Sequence, residues 1–445
     1  MSEYQILKEI VIKNNLSNNG NLLSYIKSNI KELGYYKLSR ISELANSNKT
    51  STAAYYTDQE ICEHMVSKLP EFNSGKKVLN VLEPSVGVGN FLPALFKKYY
   101  SCQKVNIDVI DIDPESIKVL KELISSLDLP ENVSINFIND DFLLHNFNKK
   151  YDIVIGNPPY QKIRDKDLLE KYSFELVNTS TRNIFSFFIE EAIKLGGYVS
   201  LIIPKSTIYT PELEKTRKLI EKFEVNNITD YGEHGFKGVK IETISFLINT
   251  NRPSLTSNDV SIDSLILKTT SIKKQGYVFP KNLPSWILYR DKFFDSVINT
   301  LTLDVFNVVR DRQITKKHTR KTGKVRVLKS RNIGNCKIID IPGYDSFVDD
   351  PTLFVISKFM NKPNIFAVPN LTYYPRACLL PKNVIADGSV ALLTTKNKAK
   401  ITRKDLEYFS SEEFTKFYRI VKNFGTRSLN VDKSAVYFWG VKKSR

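Results

Sequence analysis

Cysteine is scarce in this sequence: four residues, Cys62, Cys102, Cys336 and Cys378, stand far apart with no CxxC pair. That spacing argues against a zinc site and against a disulfide framework, and it fits a reducing cytoplasm. Long apolar runs are missing too. The N-terminus, MSEYQILKEIVIKNN, sets charges among its apolar residues, and no later stretch approaches the ~20 apolar residues that span a bilayer, so no membrane segment is expected. Neither an internal repeat nor a long low-complexity segment is present. Acidic side chains are outnumbered, 48 against 65 Lys and Arg, for a formal net charge of +17. Contact with a polyanion follows, although charge alone does not separate DNA from RNA or an anionic membrane surface.

A chain of 445 residues exceeds the usual size of one domain, so two domains are expected, each burying its own core. Residues 1–50 carry apolar positions at helical spacing (Ile6, Ile10, Leu23, Ile26, Ile30) broken by NNLSNNGN, which predicts short lead-in helices without chemistry. From Lys77 to Thr250 seven short apolar runs alternate with segments of helical length: 78–82, 107–112, 133–138, 151–155, 198–203, 225–228 and 243–248. Most are continuous, as buried parallel strands are. Asp113-Pro114-Glu115 and Thr210-Pro211-Glu212 each offer an N-cap oxygen, a proline and an acid, which start helices. The pattern predicts an α/β domain over residues 51–255 with a doubly wound, mostly parallel seven-stranded sheet. Beyond Asn251-Arg252-Pro253-Ser254 a mixed α+β domain, residues 256–445, is expected.

The first strand runs into Glu83-Pro84-Ser85-Val86-Gly87-Val88-Gly89, a glycine turn where backbone can approach a ligand. The third glycine of a dinucleotide fingerprint is missing, with Leu92 in its place, and Glu83 repels phosphate but attracts a cation. The second strand ends in Asp111-Ile112-Asp113, where an acid can accept from ribose hydroxyls. The third ends in Asp141-Phe142, a carboxylate for an adenine amino group and a ring for its face. Singly, a glycine turn or a strand-end acid is usually structural; together on consecutive strand ends they point to a nucleoside cofactor.

The fourth strand ends in Asn157-Pro158-Pro159-Tyr160. Two prolines stiffen the backbone and remove two donors, so the Asn157 amide oxygen and the Pro158 carbonyl can both accept in one pocket, with the Tyr160 ring beside them. Such a set orients the hydrogens of a planar amine and leaves its lone pair to attack a sulfonium methyl, with no covalent intermediate and no metal.

With these motifs in this order, the sequence resembles the amino-methyltransferases of DNA restriction-modification systems, specifically N6-adenine enzymes of the gamma arrangement, whose target-recognition domain comes last. The resemblance covers residues 50–250. It implies S-adenosylmethionine as cofactor, held by Glu83, Gly87, Gly89, Asp111, Ile112, Asp141 and Phe142, with Tyr56 and Thr57 in a further cofactor loop that reads Tyr-Thr-Asp where the family has Tyr-Thr-Pro. It assigns Asn157, Pro158 and Tyr160 to catalysis and to the extruded target base, and Phe236 to the second face of that base; a plain loop phenylalanine is the competing reading there. Adenine is preferred because N4-cytosine enzymes usually carry serine in place of Asn157, and none of the four cysteines follows a proline as the cytosine-5 reaction requires.

Between Arg310 and Arg331 ten basic residues accompany one acid, Asp311. Arg310, Arg312, Lys316, Lys317, Lys329 and Arg331 are the candidates for double-stranded DNA, against a merely solvated face. Residues 370–376, Asn-Leu-Thr-Tyr-Tyr-Pro-Arg, supply groups that read base edges or simply pack. The competing functions are a methyltransferase of RNA or of protein glutamine, and a non-catalytic specificity subunit. About 50 residues before the cofactor domain leave too little room for a fused nuclease, so any cognate restriction endonuclease is expected to act as a separate chain.

Overall fold

The computed structural model describes residues 3–46, 57–72, 77–125, 127–174, 176–233, 241–396, 399, 401–425 and 429–443. The chain divides into two compact units, Met1–Gly276 and Tyr277–Arg445.

In the first unit the apolar runs form β1 (Leu79–Pro84), β2 (Val105–Asp111), β3 (Val133–Asn139), β4 (Tyr151–Gly156), β5 (Gly196–Pro204), β6 (Phe223–Gly232) and β7 (Thr243–Pro253). β1 to β5 pair in parallel, in the order β3-β2-β1-β4-β5, and β7 runs antiparallel between β5 and β6. The strand order reverses between β1 and β4. In a doubly wound sheet that reversal opens a crevice at the carboxyl ends of the strands.

Two expectations change. The sheet has nine strands among the described residues, not seven, because β8 (Asp259–Ser264) pairs in parallel with β6 and β9 (Thr269–Lys274) extends it antiparallel. The first unit therefore ends at Gly276 rather than near residue 255. Both added strands, DVSIDS and the edge strand TTSIKK, are rich in polar residues, so neither shows the apolar run that marks a central strand. Lys68 Nζ pairs with Asp263 Oδ2 at 2.7 Å and ties β8 to the helix Gln59–Lys68.

The expected caps divide. Asp113 starts the helix Pro114–Ser125, its carboxylate accepting from Glu115 N–H at 3.2 Å and from Ser116 Oγ at 2.8 Å. Thr210 makes no side-chain cap, and Pro211–Leu213 is a 3-10 turn before the helix Glu214–Ile220.

Ahead of the sheet stand α1 (Glu3–Lys13) and α2 (Asn19–Ala45), the latter broken at Gly34, where φ is 72°. Buried Leu7, Val11, Leu22, Ile26 and Leu38 join the core formed by β1, β2 and the helix Pro114–Ser125.

The second unit is α+β. One sheet orders the strands Phe306–Val309, Val390–Thr395, Ile365–Pro369 and Cys378–Leu379; another orders Ser346–Val348, Val325–Leu328 and Val384–Ala386. Its larger core is aromatic: Phe409, Phe414, Tyr418 and Trp439 pack with ring centroids 4.9–5.6 Å apart in several pairs.

Candidate active site

The carboxyl ends of β1 to β4 line a cavity of ≈ 1060 Å³. At the end of β1 the chain turns through Ser85, Gly87 and Gly89, all at positive φ. Gly87 opens on space, since an added Cβ would meet nothing within 4 Å, so a ligand can lie against its backbone. Gly89 is the packing glycine. A Cβ there would meet Leu120 at 2.5 Å and the Tyr35 hydroxyl at 2.9 Å.

That hydroxyl comes from α2. Tyr35 donates to the carbonyls of Val88 (2.8 Å) and Gly89 (2.9 Å), Ser39 bonds Asn90 at 3.0 Å, and Glu43 and Asn46 line the cavity. The lead-in helices, read from the sequence as free of chemistry, form part of the site. Their spacing signals only an amphipathic helix, and which polar side chain meets the turn depends on packing across more than 50 residues.

Among the carboxylates that line the cavity, Glu83 and Asp111 are set apart by burial that raises their pKa values. Glu83 is 2 % exposed, and among the described residues no hydrogen-bond partner reaches its Oε2. Burial, then the charge of Asp111, pushes its carboxyl well above the usual range. Asp111 Oδ2 accepts from Gly87 N–H at 2.8 Å and Oδ1 from Asp113 N–H at 2.9 Å. Burial pushes it up to about 6, against the pull of those hydrogen bonds. Two buried acids with raised pKa values suit a cationic ligand rich in hydroxyls. This fits the amino group, sulfonium and ribose of S-adenosylmethionine.

Ile112, 59 % exposed, and Phe142, buried, also line the cavity. Phe142 rests on Phe188 at 4.8 Å between ring centroids. Asp141 lines it with both oxygens engaged: Oδ1 accepts from Leu143 N–H at 3.0 Å, and Oδ2 from the Tyr172 hydroxyl. Tyr172, on the helix Lys166–Ser173, carries no sequence signal that singles it out.

From β4, Asn157, Pro158 and Pro159 enter the same cavity. Asn157 Nδ2 donates to Thr57 Oγ1 at 3.0 Å, which orients the amide, and the Asn157 carbonyl accepts from Ser85 Oγ at 3.0 Å. The cofactor turn and the Asn-Pro-Pro loop are thus joined directly. Tyr160 is turned differently: its hydroxyl donates to Ile202 O at 2.9 Å, its ring meets Phe185 edge-on at 6.1 Å, and it is not among the cavity-lining residues. Tyr56 and Phe236 lie outside the described residues.

The basic candidates of the second unit also separate. Arg312, Lys316, Lys317 and Arg331 are exposed. Arg310 Nη1 donates to Asn370 Oδ1 at 2.5 Å, and Lys329 Nζ donates to the Tyr344 carbonyl. Arg326, inside the same run, pairs with Asp340 and with Asp345. Among the described residues no helix is long and apolar enough to cross a membrane.

Residues 94–236 match the Eco57I restriction-modification methylase family. The chain is 26% identical to malonyl-[acyl-carrier protein] O-methyltransferase 1 of Ilyobacter polytropus over 60% of this chain and 93% of that protein. It is 26% identical to the type II methyltransferase M.VspI of a Vibrio species over 54% of this chain and 57% of that protein. It spans about half the length of the type II methyltransferases it matches. Among solved structures, the type IIG restriction endonuclease BpuSI shares the fold at a TM-score of 0.50 and 13% identity, over 92% of this chain and 61% of that one. Residues 94–236 thus carry the match to the Eco57I restriction-modification methylase family, on an α/β fold shared with that solved structure.

Proposed function

We propose that this protein transfers the methyl group of S-adenosylmethionine to the N6 amino group of adenine in duplex DNA, as the modification enzyme of a type II restriction-modification system. The observation that carries this reading is the shared cavity: Asn157 and Pro158 line the same space as Glu83 and Asp111, with Ser85 linking the two loops.

Bound there, the cofactor supplies an electrophilic methyl on a sulfonium. The protein supplies position and charge. Asn157 Oδ1 and the Pro158 carbonyl accept the two hydrogens of the target amine and direct its lone pair at the methyl. Thr57 holds the Asn157 amide in the orientation this needs. Glu83 and Asp111 keep the cationic cofactor in register with the loop. A carboxylate acceptor offers a paired-acceptor loop no hydrogen and a hydroxyl only one, so an amine with two is favoured. Adenine is favoured over cytosine by Asn157 and over protein glutamine by the exposed cations Arg312, Lys316, Lys317 and Arg331. Those cations contact duplex DNA in this reading, and Phe236 is assigned to a face of the extruded base.

The test is expression in a bacterial host free of DNA methylation, followed by sequencing that reports modified bases. A single motif with N6-methyladenine is the expected result. An unmodified genome from cells that contain the folded, cofactor-binding protein overturns the proposal.

A further inference from the structure

In the second unit, residues 370–376 form a turn that carries two exposed aromatic rings: Tyr373 is 63 % and Tyr374 66 % exposed. The turn itself is firmly built. Thr372 Oγ1 donates to the Tyr374 carbonyl at 2.7 Å and accepts from Tyr374 N–H at 3.1 Å. Leu371 and Thr372 pair with Asn430 and Leu429. Arg376 spends its guanidinium within the protein: Nη1 donates to Thr372 Oγ1 and to the Tyr374 carbonyl, Nη2 to the Ser330 carbonyl at 3.1 Å, and Nε to the Ile333 carbonyl. This arginine is a brace, not a ligand contact.

The brace joins the turn to the basic run. Ser330 and Ile333 flank exposed Arg331, whose guanidinium lies 4.8 Å from the Tyr344 ring centroid. At the other end of the turn, Asn370 accepts from Arg310 and donates its N–H to the Ser389 carbonyl at 2.8 Å, while Ser389 Oγ accepts from Ser330 N–H at 2.9 Å. Exposed Arg419 sits 6.0 Å from the Tyr374 ring centroid. Three segments far apart in the sequence therefore converge into one patch of two rigidly presented rings among arginines.

Exposed tyrosines cost apolar hydration, and a braced turn loses little entropy when a flat partner covers them. Rings offered at fixed positions among cations match a base step that opens to a wedge while neighbouring phosphates are neutralised. We propose that the Tyr373–Tyr374 turn is a base-contacting element of the second unit, its rings wedging against a partly unstacked base step of duplex DNA while Arg331 and Arg419 take flanking phosphates. The inference rests on the DNA reading above and adds to it the residues that touch bases.

The experiment uses the full chain with alanine at both tyrosines (Tyr373→Ala, Tyr374→Ala) and, separately, phenylalanine at both. The probes are a short duplex bearing the motif found by genome sequencing and a duplex without it. Both tyrosines are exposed, so cofactor affinity and melting temperature stay at wild-type values. The alanine pair should bind the motif duplex about tenfold more weakly or worse, with an unchanged salt slope because no phosphate contact is lost. The phenylalanine pair should restore binding. Wild-type affinity in the alanine pair overturns this inference alone. So does a phenylalanine pair as weak as the alanine pair, since the hydroxyls and not the rings would then make the contact. A wild-type chain that ignores both duplexes overturns the DNA reading and this inference with it.

Discussion

Tyr172 donates its hydroxyl to Asp141 Oδ2, so the carboxylate proposed here for the cofactor's adenine already holds a phenol partner. Each carboxylate oxygen has two acceptor sites, and Oδ2 can accept an amino group beside the phenol. Asp141→Ala should therefore weaken S-adenosylmethionine by about tenfold, the scale of one hydrogen bond to a charged group. Tyr172→Phe should leave it within about threefold. Calorimetry on both variants checks the pair, and a larger loss in Tyr172→Phe would assign the adenine contact to the phenol.

Asn157→Ala removes the side-chain acceptor proposed for the target amine. Turnover should fall roughly 10²–10³-fold, as when one preorganised transition-state contact is lost, while cofactor affinity survives. Thr57→Val keeps the shape but releases the Asn157 amide, so kcat should fall about tenfold with little change in KM for DNA. Single-turnover rates beside cofactor titration separate the two effects; full turnover in Asn157→Ala would sink the mechanism.

The buried acids make cofactor binding depend on pH. Asp111 titrates near 6 in the free protein and Glu83 lies well above its usual value, each raised first by burial. A raised carboxyl binds its proton more tightly folded than unfolded. The ligand-free protein should thus lose stability as pH rises from the ordinary carboxylate value, about 4, through about 6. A cationic ligand needs the ionised form, so affinity should rise over the same span. Glu83→Gln should raise the melting temperature of the free protein by about 2–4 °C and weaken S-adenosylmethionine at least tenfold. Scanning calorimetry and binding isotherms at pH 5.5 and 7.5 test both signs.

A fragment comprising residues 1–276 retains the nine-stranded sheet and should bind S-adenosylmethionine yet lose sequence-specific DNA binding. Ending the chain at residue 255 strips β8 from β6 and removes Asp263 from Lys68, so that fragment should melt at a lower temperature. Footprinting the longer fragment is decisive: retained site selection would put the reader in the first unit.

Neutralising Arg312, Lys316 and Lys317 should weaken binding to all duplexes alike and flatten the salt dependence by about 0.9 per lost phosphate contact. Arg310→Ala should act differently, because it deprives Asn370 of its partner. That variant should lose preference for the motif duplex without a matching change in salt slope. Equal salt slopes for Arg310→Ala and Arg312→Ala would return Arg310 to the phosphate-contacting group.

The central strands, the glycine turn and Asn157-Pro158-Pro159 could be read from residues alone, because each is local. Apolar runs of strand length, positive φ at Gly87 and Gly89, and two stiffened prolines constrain the backbone wherever they occur. The polar strands β8 and β9 escaped that reading, since neither carries an apolar run and each is recognised only by the strand it pairs with. Side-chain partners escaped it more completely. Tyr35 braces the glycine turn from 54 residues away, Tyr172 reaches Asp141 across 31, and Arg310 meets Asn370 across 60. A sequence shows that ten cations share one stretch. Folding alone determines which of them a carbonyl, an amide or a carboxylate satisfies internally, because a buried or braced charge must be paired by whatever the chain brings beside it.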